Sequence, residues 1–295
     1  MKPAPFEYHR PSSLADALEL LADLPDAEPL AGNQSLSILM SNRLASPDHL
    51  VDINDLDELS YVEADNGSVA VGALVRHREI ERSGTLAQAL PVFPEAAGKI
   101  AGPVVRNRGT LGGSLGEGDP AGNYPCVAAV LEADLELASA GGSRTVPADE
   151  FFIATMFTDR EEGELITGIT VPRDPFPPAR TGQTFLAVKQ AAQTWPTLSV
   201  AGAVRVDDPE DEEPVLEDAR VALANAAEVP LRLPGAEGEI EGEPLSEAGL
   251  AAAGETAYEA VNPEEELHAD ETYKRELARE YTKRALTTAH DRAVA

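Results

Sequence analysis

Cysteine is nearly absent from this chain: Cys126 is the single cysteine among 295 residues. A disulfide within the chain is therefore impossible. Sites that need several thiolates, such as an iron–sulfur cluster or a cysteine-rich zinc site, are excluded in this chain as well. The five histidines, His9, His49, His77, His268 and His290, are scattered without the spacing of metal ligands, so we predict no metal site. We also predict no catalytic residue in this chain.

Basic residues are also scarce. Lysine and arginine together number 23, against 52 aspartates and glutamates, which gives a formal net charge of −29. Nucleic acid is therefore a poor partner, because its phosphates need basic side chains, and an anionic membrane is disfavoured for the same reason. Such a composition is typical of a halophile's cytoplasmic protein, since high salt screens the self-repulsion. An acidic docking surface is the alternative.

Long hydrophobic runs are missing too. No apolar stretch approaches the roughly 20 residues of a membrane-spanning helix, and the first residues, MKPAPFEYHR, lack the apolar core of a secretory signal. We therefore expect a soluble, cytoplasmic protein without membrane insertion.

Short helices and strands follow one another along the rest of the sequence. The residue patterns predict a helix over 12–24 capped by Ser12 or Ser13, a helix over 37–44, a strand over 50–53, a hairpin over 61–75 around Asn66-Gly67, and a linker over 173–182. This succession indicates a mixed α and β protein with more than one part.

Two glycine-containing turns have similar sequences. AGNQSL (31–36) and LGGSL (111–115) both run from small residues into Ser-Leu, about eighty residues apart. Exposed backbone N–H groups at such turns bind anions, and glycine lets a diphosphate approach without a Cβ in the way. Either turn alone is more often a plain turn, whereas a pair that converges on one dinucleotide is better evidence for binding. Neither fits the P-loop or the Rossmann pattern.

These segments carry a family resemblance. PLAGNQSLSILMSNRLASPDHLVDI and VRNRGTLGGSLGEGDPAGNYP, together with TVPADEFF, ELITGITVP and YKRELAREYTKRAL, resemble the FAD-binding medium subunit of molybdenum hydroxylases, of the carbon monoxide and xanthine dehydrogenase type. The resemblance covers nearly the whole chain in the right order.

The resemblance implies an α+β fold with a two-lobed FAD-binding domain of the vanillyl-alcohol-oxidase (PCMH) type and a C-terminal α+β domain. We expect the first lobe at 1–56, the second at 57–174 and the C-terminal domain at 175–295. The implied function is electron transfer through FAD. The resemblance also implies a large partner subunit with a molybdenum cofactor, a small partner subunit with [2Fe-2S] clusters, and a dimer of heterotrimers.

The family's cofactor-binding positions carry over residue by residue. They are Ala31, Gly32, Asn33, Gln34, Ser35 and Leu36 in the first turn, Thr110, Leu111, Gly112, Gly113 and Ser114 in the second, and Asp119, Asn123, Ile166, Lys189 and Trp195 beyond them. Three departures stand out: Asn33 replaces a frequent glycine, Glu117 a frequent histidine, and Asn123 a usual acid.

Two other functions are compatible with the same fold. One is a self-sufficient flavin oxidoreductase, which would need its own substrate pocket and proton donor. The other is a non-catalytic scaffold that has lost FAD, against which the intact Gly32, Gly112 and Gly113 argue.

Overall fold

The first sheet is parallel and has three strands, in the order β1-β3-β2. The computed structural model describes residues 2–65 and 67–295. In chain order this part contains β1 (Glu7–His9), α1 (Leu14–Asp23), β2 (Ala27–Leu30), α2 (Leu36–Asn42) and β3 (His49–Asp52). Ser13 caps α1 by accepting the Asp16 N–H at 3.1 Å, and the predicted apolar face of that helix buries Leu18 and Leu21.

The second sheet is antiparallel and has five strands, in the order β4-β5-β10-β6-β7. Its part of the chain contains β4 (Val62–Ala64), β5 (Ser68–Gly72), α3 (His77–Arg82), α4 (Gly84–Ala89), α5 (Val92–Lys99), α6 (Pro103–Arg106), α7 (Leu111–Glu117), α8 (Asn123–Val130), β6 (Asp134–Ser139), β7 (Gly142–Pro147), α9 (Ala148–Phe151), β8 (Phe152–Ala154), β9 (Phe157–Thr158) and β10 (Leu165–Pro172). Strands β4 and β5 pair as the hairpin prediction requires, although Asn66 of its predicted turn lies outside the described residues.

The second glycine segment is helical in the structure. Residues 111–117 form α7, and the Thr110 hydroxyl caps it by accepting the Gly113 N–H at 3.2 Å. Gly112 packs against Ala73, the residue that follows β5, and a Cβ on residue 112 would lie 2.6 Å from the Ala73 Cβ. Glycine is therefore required here for close packing of a helix on its neighbour, which a sequence rich in glycine does not by itself reveal.

The C-terminal part contains a four-stranded antiparallel sheet and two long helices. Its elements are β11 (Thr181–Val188), β12 (Leu198–Val206), β13 (Leu216–Ala224), β14 (Leu231–Arg232), α10 (Pro234–Gly238), α11 (Glu247–Ala260) and α12 (Glu271–Ala293). Both faces of the sheet are covered. Ala201 and Ala203 belong to the core of the second part, while Val200 and Val204 belong to the core beneath α12. This explains the nearly continuous apolar sequence of β12.

Cys126 lies where this sheet meets α8. Its thiol is fully buried and donates to the Ala222 carbonyl at 3.2 Å. Burial raises the pKa of Cys126 to about 12, so the thiol stays neutral and unreactive. Across residues 2–65 and 67–295, every helix is too short or too polar to cross a bilayer.

Candidate cofactor-binding site

One large cavity brings most of the predicted residues together. Its volume is about 680 Å³, within the range of small-molecule and cofactor sites. Fifteen of the sixteen predicted residues line it, from all three parts of the fold: Ala31, Gly32, Asn33, Gln34, Ser35, Leu36, Thr110, Gly112, Gly113, Ser114, Asp119, Asn123, Ile166, Lys189 and Trp195.

Leu111 is the predicted residue that the cavity does not include. Its side chain is fully buried in the core of the second part, and its N–H donates to the Val75 carbonyl at 3.0 Å. The Leu111 side chain therefore packs in the protein core and does not line the cavity.

The first glycine segment contacts the backbone of Arg108 and Gly109, which leads into the second segment, at one wall of this cavity. A Cβ on Gly32 would lie 2.4 Å from the Arg108 carbonyl oxygen and 2.6 Å from the Gly109 Cα. No side chain fits at that distance, so glycine at position 32 is what allows the two backbones to meet. Segments that are about eighty residues apart in sequence therefore form one continuous backbone surface.

Two polar side chains, Asn54 and Arg76, hydrogen-bond to the backbone on either side of this contact. The Asn54 amide donates to the Ala31 carbonyl at 2.9 Å and to the Leu30 carbonyl at 3.1 Å. Its oxygen accepts a hydrogen bond from Arg76 at 2.7 Å, and Arg76 donates in turn to the Arg108 carbonyl at 2.6 Å. Asn54 and Arg76 are positioning residues that the sequence reasoning missed, because nothing in their spacing relates them to either glycine segment.

The first glycine segment offers unused hydrogen-bond donors. Within the described residues, the backbone N–H groups of residues 32–35 have no hydrogen-bond partner in the protein. Asn33 has a positive φ of 56°, a conformation that Asn tolerates better than most residues and that turns the chain between β2 and α2. Successive free N–H groups at a turn are a suitable binding site for a diphosphate.

The second segment contributes differently from the prediction. The Gly112 N–H donates to the Ala73 carbonyl at 2.8 Å, the Gly113 N–H is taken by the Thr110 cap, and the Ser114 N–H donates to the Thr110 carbonyl at 3.1 Å. Its amides are thus occupied within the fold. What α7 presents to the cavity is a small-residue surface and the Ser114 side chain.

Two carboxylates lie in the cavity wall at the C-terminal end of α7 and just after it. Burial raises the pKa of Glu117, an effect that the neighbouring Ser35 hydroxyl partly offsets. Burial likewise raises the pKa of Asp119, although its carboxylate accepts the Ala121 N–H at 2.8 Å. Both groups are partly shielded from water, which favours hydrogen bonding to ligand hydroxyls.

Asn123 and Ile166 are fixed by their neighbours. The Asn123 amide nitrogen donates to the Ala96 carbonyl at 2.8 Å, and its oxygen and second N–H have no partner among the described residues. Ile166 precedes a register irregularity between β10 and β6, the kind of bulge that redirects side chains next to sites.

Lys189 and Trp195 are the predicted residues that the C-terminal part contributes to the cavity lining. The Lys189 ammonium donates to the Lys99 carbonyl at 2.7 Å and to the Ala192 carbonyl at 3.1 Å. Burial lowers its pKa, helped by the positive charges of Lys99 and Arg106. Trp195 is 62% exposed in this structure, which leaves an aromatic face open at the cavity rim.

Asn225 directly follows β13 and hydrogen-bonds to two segments that line the cavity. Its N–H donates to the Pro120 carbonyl at 2.7 Å, and its side-chain amide donates to the Pro196 carbonyl at 3.0 Å. The same amide donates to Glu266 at 2.5 Å, and Glu266 accepts from the fully buried Lys274 at 2.6 Å. Asn225 therefore holds together the chain around Asp119 and Trp195.

His77 is a further cavity-lining residue that the sequence pattern did not single out. Its ring is buried against Gly109, and its Nδ1 has no hydrogen-bond partner within residues 2–65 and 67–295. Burial, with smaller contributions from Arg76 and Arg106, lowers the pKa of His77 to about 4. The imidazole is therefore neutral at neutral pH.

These features together fit a dinucleotide such as FAD. The free amides of residues 32–35 suit its diphosphate, the polar groups of Asp119 and Asn123 suit hydroxyls, and Trp195 suits an aromatic ring. The binding groups are mainly backbone donors, so the scarcity of lysine in the chain is no obstacle.

Comparison with known proteins agrees with this site. The family described as FAD binding domain in molybdopterin dehydrogenase matches residues 4–174, and the CO dehydrogenase flavoprotein C-terminal domain matches residues 183–289.

Individual relatives match over nearly their whole length. The carbon monoxide dehydrogenase medium chain of Hydrogenophaga pseudoflava is 36% identical, covering 98% of both chains. The glyceraldehyde dehydrogenase medium chain of Sulfolobus acidocaldarius is 33% identical, covering 97% of this chain and 98% of that one. A structure of the Hydrogenophaga pseudoflava carbon monoxide dehydrogenase, lacking the Mo-pyranopterin moiety of its molybdenum cofactor, aligns with a TM-score of 0.93 at 37% identity over 99% of each chain.

The predicted fold class and FAD-binding function are thereby confirmed, and the chain is an FAD-containing oxidoreductase subunit. It belongs to the family of FAD-binding medium subunits of molybdenum hydroxylases.

Proposed function

We propose that this chain transfers electrons between subunits of a heteromeric molybdenum hydroxylase. Electrons would enter from [2Fe-2S] clusters on a small partner subunit, after substrate oxidation at molybdenum on a large one, and would leave to an external acceptor. The observation that carries the proposal is the contact between Gly32 and Arg108, which brings the first glycine segment against the residues that lead into the second, at one cavity. The single cysteine supports the division of labour, because iron–sulfur clusters need several cysteines.

The residues of this chain would bind and orient the cofactor. We assign the diphosphate to the free amides of residues 32–35, and the ribityl chain to Asp119 and the Asn123 oxygen. Ile166 would contact the ring edge and Trp195 its face. Bound FAD supplies the ability to accept a pair of electrons and to pass them on.

Lys189 would act on the ring mainly through its charge. The Lys189 ammonium donates hydrogen bonds to the Lys99 and Ala192 carbonyls, so Lys189 also positions the segment that leads to Trp195. A positive charge near the ring favours the anionic reduced form of the flavin.

The proposal also includes the organisation of the chain and of the assembly. We propose lobes at 1–56 and 57–174, a C-terminal domain at 175–295, and a dimer of heterotrimers. We propose a cytoplasmic location on the basis of the acidic composition, which suits a halophile's cytosolic protein.

Purification of the chain alone and with its partners tests this function. We expect a yellow protein with close to one FAD per chain, and flavin reduction by the holoenzyme's organic substrate only when both partner subunits are present. Reduction of the isolated chain by an organic substrate would instead support the self-sufficient oxidoreductase. A folded chain that binds no FAD, alone or in complex, would support the scaffold.

A further inference from the structure

Two histidines and a glutamate meet on one face of the first sheet, outside the cofactor cavity. The Nε2 atom of His9 lies 3.1 Å from the Nδ1 atom of His49, and a Glu7 carboxylate oxygen lies 3.7 Å from that same Nδ1. Their three ligand atoms all lie within 4.8 Å of one another. The sequence predicted no metal site because His9 and His49 are forty residues apart.

The pairing of β1 with β3 builds this cluster. The register places Glu7 opposite His49 in the parallel pair. His9 lies two residues beyond Glu7, and side chains two residues apart along a strand share a face of the sheet. The backbone therefore holds all three side chains on one side, and the two rings are inclined to each other at 47° with their centroids 5.2 Å apart.

We propose that Glu7, His9 and His49 form a binding site for a divalent transition metal of the Zn²⁺ class. Metal–ligand bonds of about 2.0–2.1 Å in tetrahedral geometry place the ligand atoms about 3.3–3.4 Å apart. The two closest separations in the cluster differ from that value by at most about 0.4 Å. Small side-chain rotations therefore suffice, with water in the fourth position.

The ligand chemistry selects the class of metal. Neutral imidazole nitrogens suit Zn²⁺, Cu²⁺ and Ni²⁺, whereas Mg²⁺ and Ca²⁺ prefer sites made of oxygen atoms. His49 is largely buried, with 15% of its side chain exposed, so its ring is already held in place. The high negative charge of the protein raises the local concentration of any cation.

A metal here would link an edge strand to the centre of its sheet. Strand β1 has three paired residues and lies at the edge, while β3 lies between β1 and β2. Bound metal would therefore stabilise the attachment of the first residues, because a ligand that binds the folded state alone raises its stability.

Calorimetric titration of the metal-free full chain with ZnCl₂ tests the site. An excess of Mg²⁺ in the buffer occupies unspecific carboxylate sites. We expect one Zn²⁺ per chain, at least tenfold weaker binding in His9→Ala and in His49→Ala, and a smaller loss in Glu7→Gln. Zn²⁺ should also raise the thermal unfolding midpoint of the unmodified chain.

His268→Ala is the matched control, because it removes an exposed histidine far from the cluster in sequence. Substitution with Co²⁺ gives a second measurement, since a tetrahedral site produces a characteristic visible spectrum that both histidine variants should lose. Circular dichroism checks that these variants fold. Zn²⁺ affinity unchanged in folded His9→Ala and His49→Ala would overturn the proposal and leave the pair as a hydrogen bond between two rings.

Discussion

Gly32 and the Arg108 carbonyl are in direct backbone contact, at a distance that leaves no room for a side chain at position 32. This contact joins the first glycine segment to the residues that lead into the second, and the cofactor cavity opens beside it.

Replacing Gly32 by alanine should therefore separate the two segments. We expect a loss of about 1–3 kcal/mol in the free energy of unfolding from overpacking, and a purified protein with little FAD. Gly84→Ala is the control, because nothing lies within 4 Å of a Cβ at that position. Flavin content and urea unfolding measure both effects. Full FAD retention in folded Gly32→Ala would contradict the assignment of this junction to the diphosphate.

Removing the link between Asn54 and Arg76 should loosen the same junction without adding bulk. We expect Asn54→Ala and Arg76→Met each to weaken FAD binding about tenfold, since charge-assisted hydrogen bonds contribute roughly 1.5–3 kcal/mol. The two losses should not add, because both variants break one shared network. Titration of FAD into the apo-protein measures the affinity. Asn42→Ala, which removes an exposed asparagine, serves as control. If the losses of FAD affinity in Asn54→Ala and Arg76→Met were fully additive, the two residues would not act through one network.

The fully buried Lys274 should make Glu266 important for stability. Glu266→Gln leaves the Lys274 charge buried without a counter-charge. We expect a destabilisation of about 2–3 kcal/mol, below the 3–5 kcal/mol of a fully enclosed pair because Glu266 is 42% exposed. The double variant Glu266→Gln/Lys274→Met should recover much of that loss. Denaturant unfolding of all three variants measures this coupling, and a double variant no more stable than Glu266→Gln would refute it.

His77 should make the stability of the apo-protein depend on pH. Its folded-state pKa of about 4 lies below the unfolded value near 6.5, so the unfolded chain takes up the proton first as the pH falls. The stabilisation is complete above about pH 6.5 and is lost towards pH 4, and the difference between the two values corresponds to roughly 3 kcal/mol. His77→Leu should therefore flatten the pH dependence of the unfolding free energy in this window. Parallel curves for the two proteins would show that His77 does not titrate as the structure implies.

High salt should stabilise the chain. A net charge of −29 destabilises the compact state by self-repulsion, and counter-ions screen it. We expect the thermal unfolding midpoint to rise steeply between low and molar KCl. Sucrose, which is uncharged, distinguishes screening from exclusion effects. A midpoint that is insensitive to KCl would contradict the interpretation as a halophile's protein.

The sequence predicted the fold class and fifteen residues of the cavity lining, because glycine turns, strand patterns and family motifs are local features. It failed where the decisive contact is between distant residues. Asn54 and Arg76 act through carbonyls of other segments, and the meeting of His9 with His49 depends on strand register. The close fit of Gly112 to Ala73 likewise depends on how α7 packs against the residue that follows β5, which local glycine content does not reveal.

The four-stranded sheet has a consequence for the modularity of this chain. Two family descriptions match on either side of residue 180, yet Ala201 and Ala203 of the later region complete the interior of the earlier one. Separating the chain near residue 180 would remove Ala201 and Ala203 from the core of the earlier region and expose that apolar core to water. The halves are therefore expected to have diverged together, and a chimera of two relatives should fold well only when α8 and β12 come from the same parent.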